Sequence, residues 1–403
     1  MKETATTLRE HDSAQKPVLY MALELGDKKW RIAFSDGSRT RQVSIPGGDV
    51  AALEQALTKA KQRWGLAGAT PVLSCYEAGR YGFWLHHYLT NRGVQNVVVD
   101  SASIMVDRRA RRAKTDRLDA DSLVQQLRRW HGGERQVWRV VHVPSAAAED
   151  QRRPQREWER LQRERTQQSN RIRGLLRLHG LDLKVGREFA ERLVELRQWD
   201  GQALPPRLVA ELRREYQRWE LVNNQLLALA KERVAEAREG QTSAARQVRQ
   251  LARLMGVGEH GAWILASEFF SWREFKNRKE VGALAGLVGT PYQSGKMVRE
   301  QGISKAGNRR VRKLVVELAW CWLRYQPQSA LAKWFWARFG EGSGRMRRVG
   351  IVAVARKLLV ALWRWVAQGL LPEGAVLKPA LVPETAVTGK YVLQPATGLR
   401  AAH

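Results

Sequence analysis

Cysteine is nearly missing from this chain: there are two in 403 residues, Cys75 and Cys321, both in apolar surroundings and neither at metal-ligand spacing. That rules out a disulfide framework and a thiolate zinc site. No uncharged apolar run reaches spanning length either. Residues 349–369 come nearest, but Arg356, Lys357 and Arg364 interrupt them, so the stretch reads as a buried helix of a soluble protein. The first residues lack a signal-peptide layout, and a cytoplasmic protein is expected, with no membrane partner. Acidic residues are scarce beside basic ones, 40 Asp and Glu against 69 Lys and Arg, for a formal charge of +29. A lone globular domain so charged repels itself, which points to a polyanionic partner, nucleic acid first and a membrane surface second. The length allows two or three domains, each with its own core.

Residues 17–145 read as the first domain. Segments 18–26, 29–34 and 41–45 have the composition of three short strands separated by Gly and Asp turn signals. Helical apolar spacing follows over 49–64, a strand over 71–76, a helix over 81–92 and a last strand over 94–100. Three strands followed by alternating helices and strands predict a mixed α/β sheet covered on both faces, the pattern of a ribonuclease-H-like domain.

Carboxylates fall at informative places on this sheet. Glu24 lies in the first strand between apolar neighbours, and Glu77 follows directly on the fourth. Asp116 and Asp119 come after the last strand, three residues apart, downstream of the cations Arg108, Arg109, Arg111, Arg112 and Lys114. On a helix, positions three apart share a face, close enough to reach one hydrated cation. Each acid has a plainer reading: a solvent-facing edge charge for Glu24, a helix-start carboxylate for the others. Converging at one sheet edge, the four would repel unless cations neutralised them, and oxygen-only ligation suits Mg²⁺ or Mn²⁺. Such an arrangement serves two-metal phosphoryl transfer. Asp27 competes with Glu24, but three residues along the strand it should face the opposite side.

Beyond residue 146 the composition changes. Residues 146–246 are rich in Arg, Glu and Gln at helical spacing, with one helix expected over 148–178 and another from Pro205-Pro206 to about Arg238. In the second, Leu208, Leu212, Tyr216, Trp219, Val222, Leu226 and Leu229 form one apolar seam, predicting an antiparallel helical hairpin or coiled coil, either a spacer or a self-association element. Arg152, Arg153, Arg156, Arg163, Arg165, Arg171 and Arg173 would offer phosphate-binding cations along the first helix. Residues 247–370 read as a mainly helical third domain. It opens on Gly256-Val-Gly258, either a phosphate-approaching hairpin or a simple turn. A small-residue helix is expected over 280–289 and a loop over 290–295 holding Ser294, with Lys296, Arg299, Lys305, Arg309, Arg310 and Arg312 nearby. Arg345, Arg347 and Arg348 read as a mobile phosphate clamp, and most tryptophans as core. Residues 1–16 and 371–403 are expected to be disordered tails.

The segments Ala22-Leu-Glu-Leu-Gly-Asp, Tyr76-Glu-Ala-Gly, Lys114-Thr-Asp-Arg-Leu-Asp-Ala-Asp and Gly289-Thr-Pro-Tyr-Gln-Ser-Gly-Lys together resemble the bacterial insertion-sequence transposases with an amino-terminal domain similar to the Holliday-junction resolvase RuvC, the four-acid recombinases guided by a bridge RNA. The resemblance covers roughly residues 18–145 and 250–370. It implies that Glu24, Glu77, Asp116 and Asp119 hold the metal and that Ser294 attacks DNA to form a phosphoserine ester. It further implies target and donor DNA and a guide RNA as partners, a dimer or tetramer, and a nucleoid-associated bacterial location. One departure stands out: the family usually has Asp where this chain has Glu24. Two rivals share these residues, a junction nuclease that uses water as nucleophile and a catalytically dead nucleic-acid-binding scaffold.

Overall fold

The computed structural model describes residues 17–104, 116–294 and 297–378, and the side chains of all of these except 116–118, 294 and 297–300. Both outer tails and the cations Arg108, Arg109, Arg111, Arg112, Lys114 and Lys296 lie outside the described residues. The chain forms two compact units, residues 1–146 and 147–403.

In the first unit, β1 (Leu19–Leu25), β2 (Lys29–Ser35) and β3 (Thr40–Pro46) form an antiparallel meander. After α1 (Val50–Arg63), β4 (Val72–Glu77) joins parallel to β1, and after α2 (Trp84–Asn91), β5 (Gln95–Val99) joins parallel to β4. The order β3-β2-β1-β4-β5 is compatible with the expected ribonuclease-H-like sheet. Strand alternation sorts the side chains. Leu19, Met21 and Leu23 of β1 pack with Leu53 of α1 and Leu85 of α2. Ala22, with Leu73 and Cys75 of β4, packs on the other face against Ala120, Leu123, Val124 and Leu127 of α3 (Asp116–His131). The second helix starts later than its apolar spacing suggests, because Gly79 and Gly82 (φ 65°) keep the chain turning before Trp84.

The second unit begins with α4 (Ala146–Asp150) and α5 (Arg153–Arg177) where one helix was expected. Pro154, in the first turn of α5, lacks the N–H that a continuous helix would need. A short α6 (Phe189–Glu195) leads to the 34-residue α7 (Pro206–Glu239), which runs antiparallel to α5. Trp219 Nε1 donates to Ser169 Oγ at 3.0 Å, and Arg165 meets Asn223 at 3.3 Å. The seam residues are buried or half-buried as expected, but Glu215 and Asn223 are buried beside them. The arginines of α5 are therefore not a free phosphate track. Arg171 pairs with Glu211 and Glu215, Arg173 with Asp182, and Arg156 with Glu268, while Arg152 is buried.

Next come α8 (Ser243–Ala252) and α9 (Glu259–Leu265), which continues into a π-helical turn, Ala266–Phe270. That turn buries Glu268, whose two oxygens accept from Arg156 at 2.7 and 3.0 Å. Burial pushes the Glu268 carboxyl up, but the Arg156 hydrogen bonds and charge, then the charges of Arg310 and Arg152, outweigh it and leave it lowered. The expected helix over 280–289 is the shorter α10 (Arg278–Leu284). The expected loop is a hairpin of β6 (Gly289–Ser294) and β7 (Met297–Ile303). Gly286, at φ 70°, ends the helix early, and Thr290, Tyr292 and neighbouring polar residues then favour an extended, paired conformation. α11 (Arg309–Tyr325), α12 (Ala330–Phe339) and α13 (Gly344–Gln368) complete the unit, with Leu358, Leu359 and Leu362 packed on Val315, Ala319 and Trp322. Arg345, Arg347 and Arg348 lie in the first turns of α13 rather than in a loop, since Ser343 caps that helix. Residues 371–378, expected in a tail, instead pack on the unit: Lys378 Nζ donates to Ala252 O and Val257 O at 2.8 and 2.7 Å. No helix among the described residues is long and apolar enough to cross a membrane.

Candidate functional site

Parallel pairing brings Leu23 level with Tyr76, so Glu24 and Glu77 follow one step later at the carboxyl ends of adjacent strands. Glu24 shares the parity of Ala22, and Glu77 that of Cys75, which places both on the face covered by α3. The Cys75 thiol carries the imprint of this arrangement, pushed up by burial first and by the Glu77 charge second. The direction of α3 follows from two contacts. Tyr20, near the start of β1, bonds His131 at the end of α3 at 2.9 Å, and Cys75 Sγ meets the Leu123 carbonyl at 3.9 Å. Asp119 and Asp116 lie about 6 and 10 Å further back along the helix from Leu123, the direction in which β4 advances about 6 Å from Cys75 to Glu77. They continue the helix stripe of Ala120, Leu123 and Leu127. All four acids are thus carried to one end of one sheet face.

The side chains of Glu24, Glu77 and Asp119 are half-buried, and all the donors are carboxylate oxygens. That donor set fits a hard divalent ion rather than a soft one. Among the described residues no three His, Cys, Asp or Glu side chains already stand within reach of one ion, and Asp116's side chain is not among those described. Asp27 lies past the end of β1, in the turn to β2. There it pairs with Arg80 and accepts from Tyr81 Oη at 3.4 Å, so its place in a surface turn, not a strand register, removes it from the group. Sequence reading passed over Arg31, the direct cross-strand partner of Glu24. Opposite residues in an antiparallel pair share a face, so a guanidinium stands beside the acids. Its signal was a lone charge inside the apolar run Trp30-Arg-Ile-Ala-Phe34.

In the second unit Ser294 is the last residue of β6, with Met297 as its register partner. The base of this hairpin is tightly closed. Ser304 N donates to Val288 O at 2.8 Å, Lys305 N to Gly286 O at 3.1 Å, and Asn308 N to Leu284 O at 2.8 Å. At Gly307, φ is 114° and a Cβ would lie 2.2 Å from Leu284 O, so only glycine allows this closure. Asn308 then caps α11, accepting from Arg310 N and Val311 N. Of the expected nucleic-acid contacts, Arg299 is in β7, Lys305 (φ 56°) is exposed between hairpin and helix, and Arg309 is exposed at the first position of α11. Arg310 is engaged by Glu159 at 2.8 Å, and Arg312 donates to Ala285 O at 3.1 Å.

The Gly256-Val-Gly258 segment is a structural turn. A Cβ on Gly256 would lie 3.3 Å from Cys321 O, and the Met255 and Val257 amides already donate to Val376 O and Leu254 O. Just beyond it, the His260 ring packs against Trp158 with centroids 4.2 Å apart at a tilt of 43°, its Nδ1 buried without a hydrogen-bond partner among the described residues. Burial, then the charge of Arg233, lowers its pKa from 6.5 to about 4. Below pH 6.5 the unfolded chain takes up a proton that the folded one refuses until about pH 4. Stability should therefore be full above pH 6.5 and fall as pH drops through that window, by up to about 3 kcal/mol. Thermal unfolding of His260→Phe against the parent chain checks this: the variant should lose that part of the pH dependence. Of six tryptophans in α11, α12 and α13, Trp322, Trp334, Trp363 and Trp365 belong to the core or pack against it, whereas Trp320 and Trp336 are exposed.

Comparison with known proteins places these elements in context. Residues 29–180 match a DEDD-type transposase family, DEDD_Tnp_IS110, and residues 248–333 match the transposase IS116/IS110/IS902 family. Ser294 falls inside the second match, and Glu24 lies just upstream of the first. The chain is 40% identical over 375 residues to a putative transposase, y4rJ, of Sinorhizobium fredii, covering 89% of this chain and 94% of that one. It is 28% identical over 211 residues to the transposase for insertion sequence element IS1328 of Yersinia enterocolitica (52% and 60% covered). It is 27% identical over 254 residues to that for IS1111A of Coxiella burnetii (62% and 66%).

Proposed function

The chain belongs to the IS110/IS116 family of insertion-sequence transposases, DNA-processing enzymes, and from that premise we propose that it recombines DNA through a Ser294–DNA ester with the help of its four carboxylates. The observation that carries this reading is the placement of Glu24, Glu77 and the first turn of α3 on one end of one sheet face. Like charges gathered at one place repel one another, a cost that a bound cation would offset.

Glu24, Glu77, Asp116 and Asp119 would hold Mg²⁺ or Mn²⁺. When bound, such an ion lowers the pKa of an attacking oxygen and offsets charge on the phosphate. Arg31, across from Glu24, limits the repulsion among the acids in the resting protein. Ser294 Oγ attacks the scissile phosphorus as the bond to the departing deoxyribose oxygen breaks; the serine gives up one proton and the departing oxygen gains one. The phosphoserine ester conserves the phosphodiester bond energy. A hydroxyl of the incoming strand attacks it, expels the serine oxygen and restores Ser294, so rejoining needs no external energy source. Lys296, Arg299, Lys305 and Arg309, around the hairpin, supply cations to the flanking phosphates.

A guide RNA would select the target and donor sequences, supported by the charge of +29 and by the cationic segment 108–114. The paired α5 and α7 would join copies of the chain as a coiled coil in a dimer or tetramer. Sequencing the RNA that copurifies with the protein tests guidance: a single structured species with loops matching the element's ends is expected, and a random cellular sample would contradict it. The alternative, hydrolysis with water as nucleophile, needs the four acids of the first unit alone and makes Ser294 dispensable.

A further inference from the structure

Beside the base of the Ser294 hairpin lies a groove of about 1470 Å³, within the second unit. One wall is α13, where Arg345, Arg348, Arg356 and Arg364 share a face with Val349, Val352 and Val360. The others come from Arg278 and Lys279 of α10, the segment 370–373, and Gly289, Gly302, Ile303 and Lys305 at the hairpin base. Glu373 is the one carboxylate among these lining residues. Two of the cations are held in place. Arg356 lies across Gly282 of α10, where a Cβ would come within 3.1 Å of its Nε, and Lys357 sits 4.6 Å over the ring of Trp334.

We propose that this groove binds single-stranded DNA a few nucleotides from the scissile phosphate, an inference that rests on Ser294 being the point of attack. Three features select this occupant. From Arg345 to Arg364 the helix runs about 29 Å, the length of about four or five extended nucleotides. Along α13 the arginines alternate with Val349, Val352 and Val360, and Leu287 and Ile303 add apolar lining, which suits a strand whose phosphates meet the guanidiniums and whose bases meet the apolar side chains. A duplex keeps its bases stacked and paired and cannot offer their faces to these apolar side chains. Finally, the hairpin rises from the groove to Ser294 over five residues, about 17 Å, or about three nucleotides of extended strand. The groove would thus grip a strand that has parted from its complement next to the cut.

The test uses full-length protein carrying Ser294→Ala, so that binding is read without covalent capture. Fluorescence anisotropy compares labelled oligonucleotides of about twelve nucleotides as single-stranded DNA, single-stranded RNA and duplex DNA. Arg348→Glu/Arg364→Glu, both exposed sites, should weaken single-stranded DNA binding by about tenfold or more at about 0.1 M salt, and flatten the salt dependence by about 1.4 in log–log slope. The same charge change outside the groove, Arg324→Glu/Arg338→Glu, should cost much less. Equal losses for the two double variants would overturn the proposal, as would a loss confined to RNA or to duplex DNA. Circular dichroism melting of each variant establishes that it is folded. The two readings fail separately: protein with Ser294 intact that binds through the groove but forms no adduct retires the serine ester alone, whereas unaltered binding in Arg348→Glu/Arg364→Glu retires the groove alone.

Discussion

Ser294→Ala should eliminate covalent protein–DNA complexes and strand exchange, by about 10³-fold or more, while leaving DNA binding within about twofold of the parent chain. The reason is local. Ser294 terminates β6 at the end of a hairpin whose base is fixed by Gly286, Gly307 and the Asn308 cap, so removal of one oxygen leaves the scaffold unchanged. A hydroxyl can contribute to phosphoryl transfer as the attacking atom, as a hydrogen-bonding group or as a metal ligand, and only the first leaves a covalent adduct. Loss of a donor alone would cost far less than loss of the nucleophile. Denaturing gel electrophoresis of the protein with a labelled cleavable substrate reads the adduct directly. Ser294→Cys provides a further check, since a thiolate can attack phosphorus but forms a weaker, more readily hydrolysed ester.

Glu77→Gln should remove cleavage by about 10²- to 10³-fold with little change in folding. The residue is half-buried at the end of β4, and Gln retains its shape and one acceptor oxygen while losing the charge that would hold a cation. Two readouts besides activity are available. The parent chain should be stabilised against thermal unfolding by added Mn²⁺, and Glu77→Gln should lose that stabilisation. The Cys75 thiol should also become easier to ionise in the variant, because the Glu77 charge is one of the two causes that push it up. Glu24→Asp, which keeps the charge on a carboxylate one methylene shorter, should keep cleavage, and Glu24→Gln should lose it. If Glu77→Gln lost activity while Ser294→Ala retained it, water would be the nucleophile and the protein a nuclease. Retention of cleavage by both would make it a binding scaffold.

The strands of the first unit were legible from the chain because they are short, alternating and separated by Gly and Asp, so period and punctuation agreed. The same pattern brought the acids to one sheet edge; that Glu24 and Glu77 stand level on one face comes from the parallel register of β1 on β4. What could not be read was long-range pairing of charge. Arg156 looks like a phosphate contact until Glu268, more than a hundred residues away, is seen buried against it. Arg310 meets Glu159 in the same way. The segment around Ser294 read as a loop because Gly, Pro and Ser dominate it, yet β7 supplies the hydrogen-bonding partner that makes it a strand. Asp27 was set aside for its strand register, when in fact it is in a turn and tied to Arg80 and Tyr81. The groove along α13 was out of reach for a related reason: its walls come from four separate segments, none with a motif of its own.

The most direct measurement is the site of the covalent bond. Protein reacted with substrate in Mg²⁺ can be digested with trypsin and nuclease, and the peptide from Glu280 to Lys296 searched by mass spectrometry for a residual nucleotide. The account predicts a phosphodiester-linked nucleotide on Ser294, absent from Glu77→Gln. A nucleotide on Tyr292 or Thr290, or cut DNA released with no modified peptide at all, would contradict it.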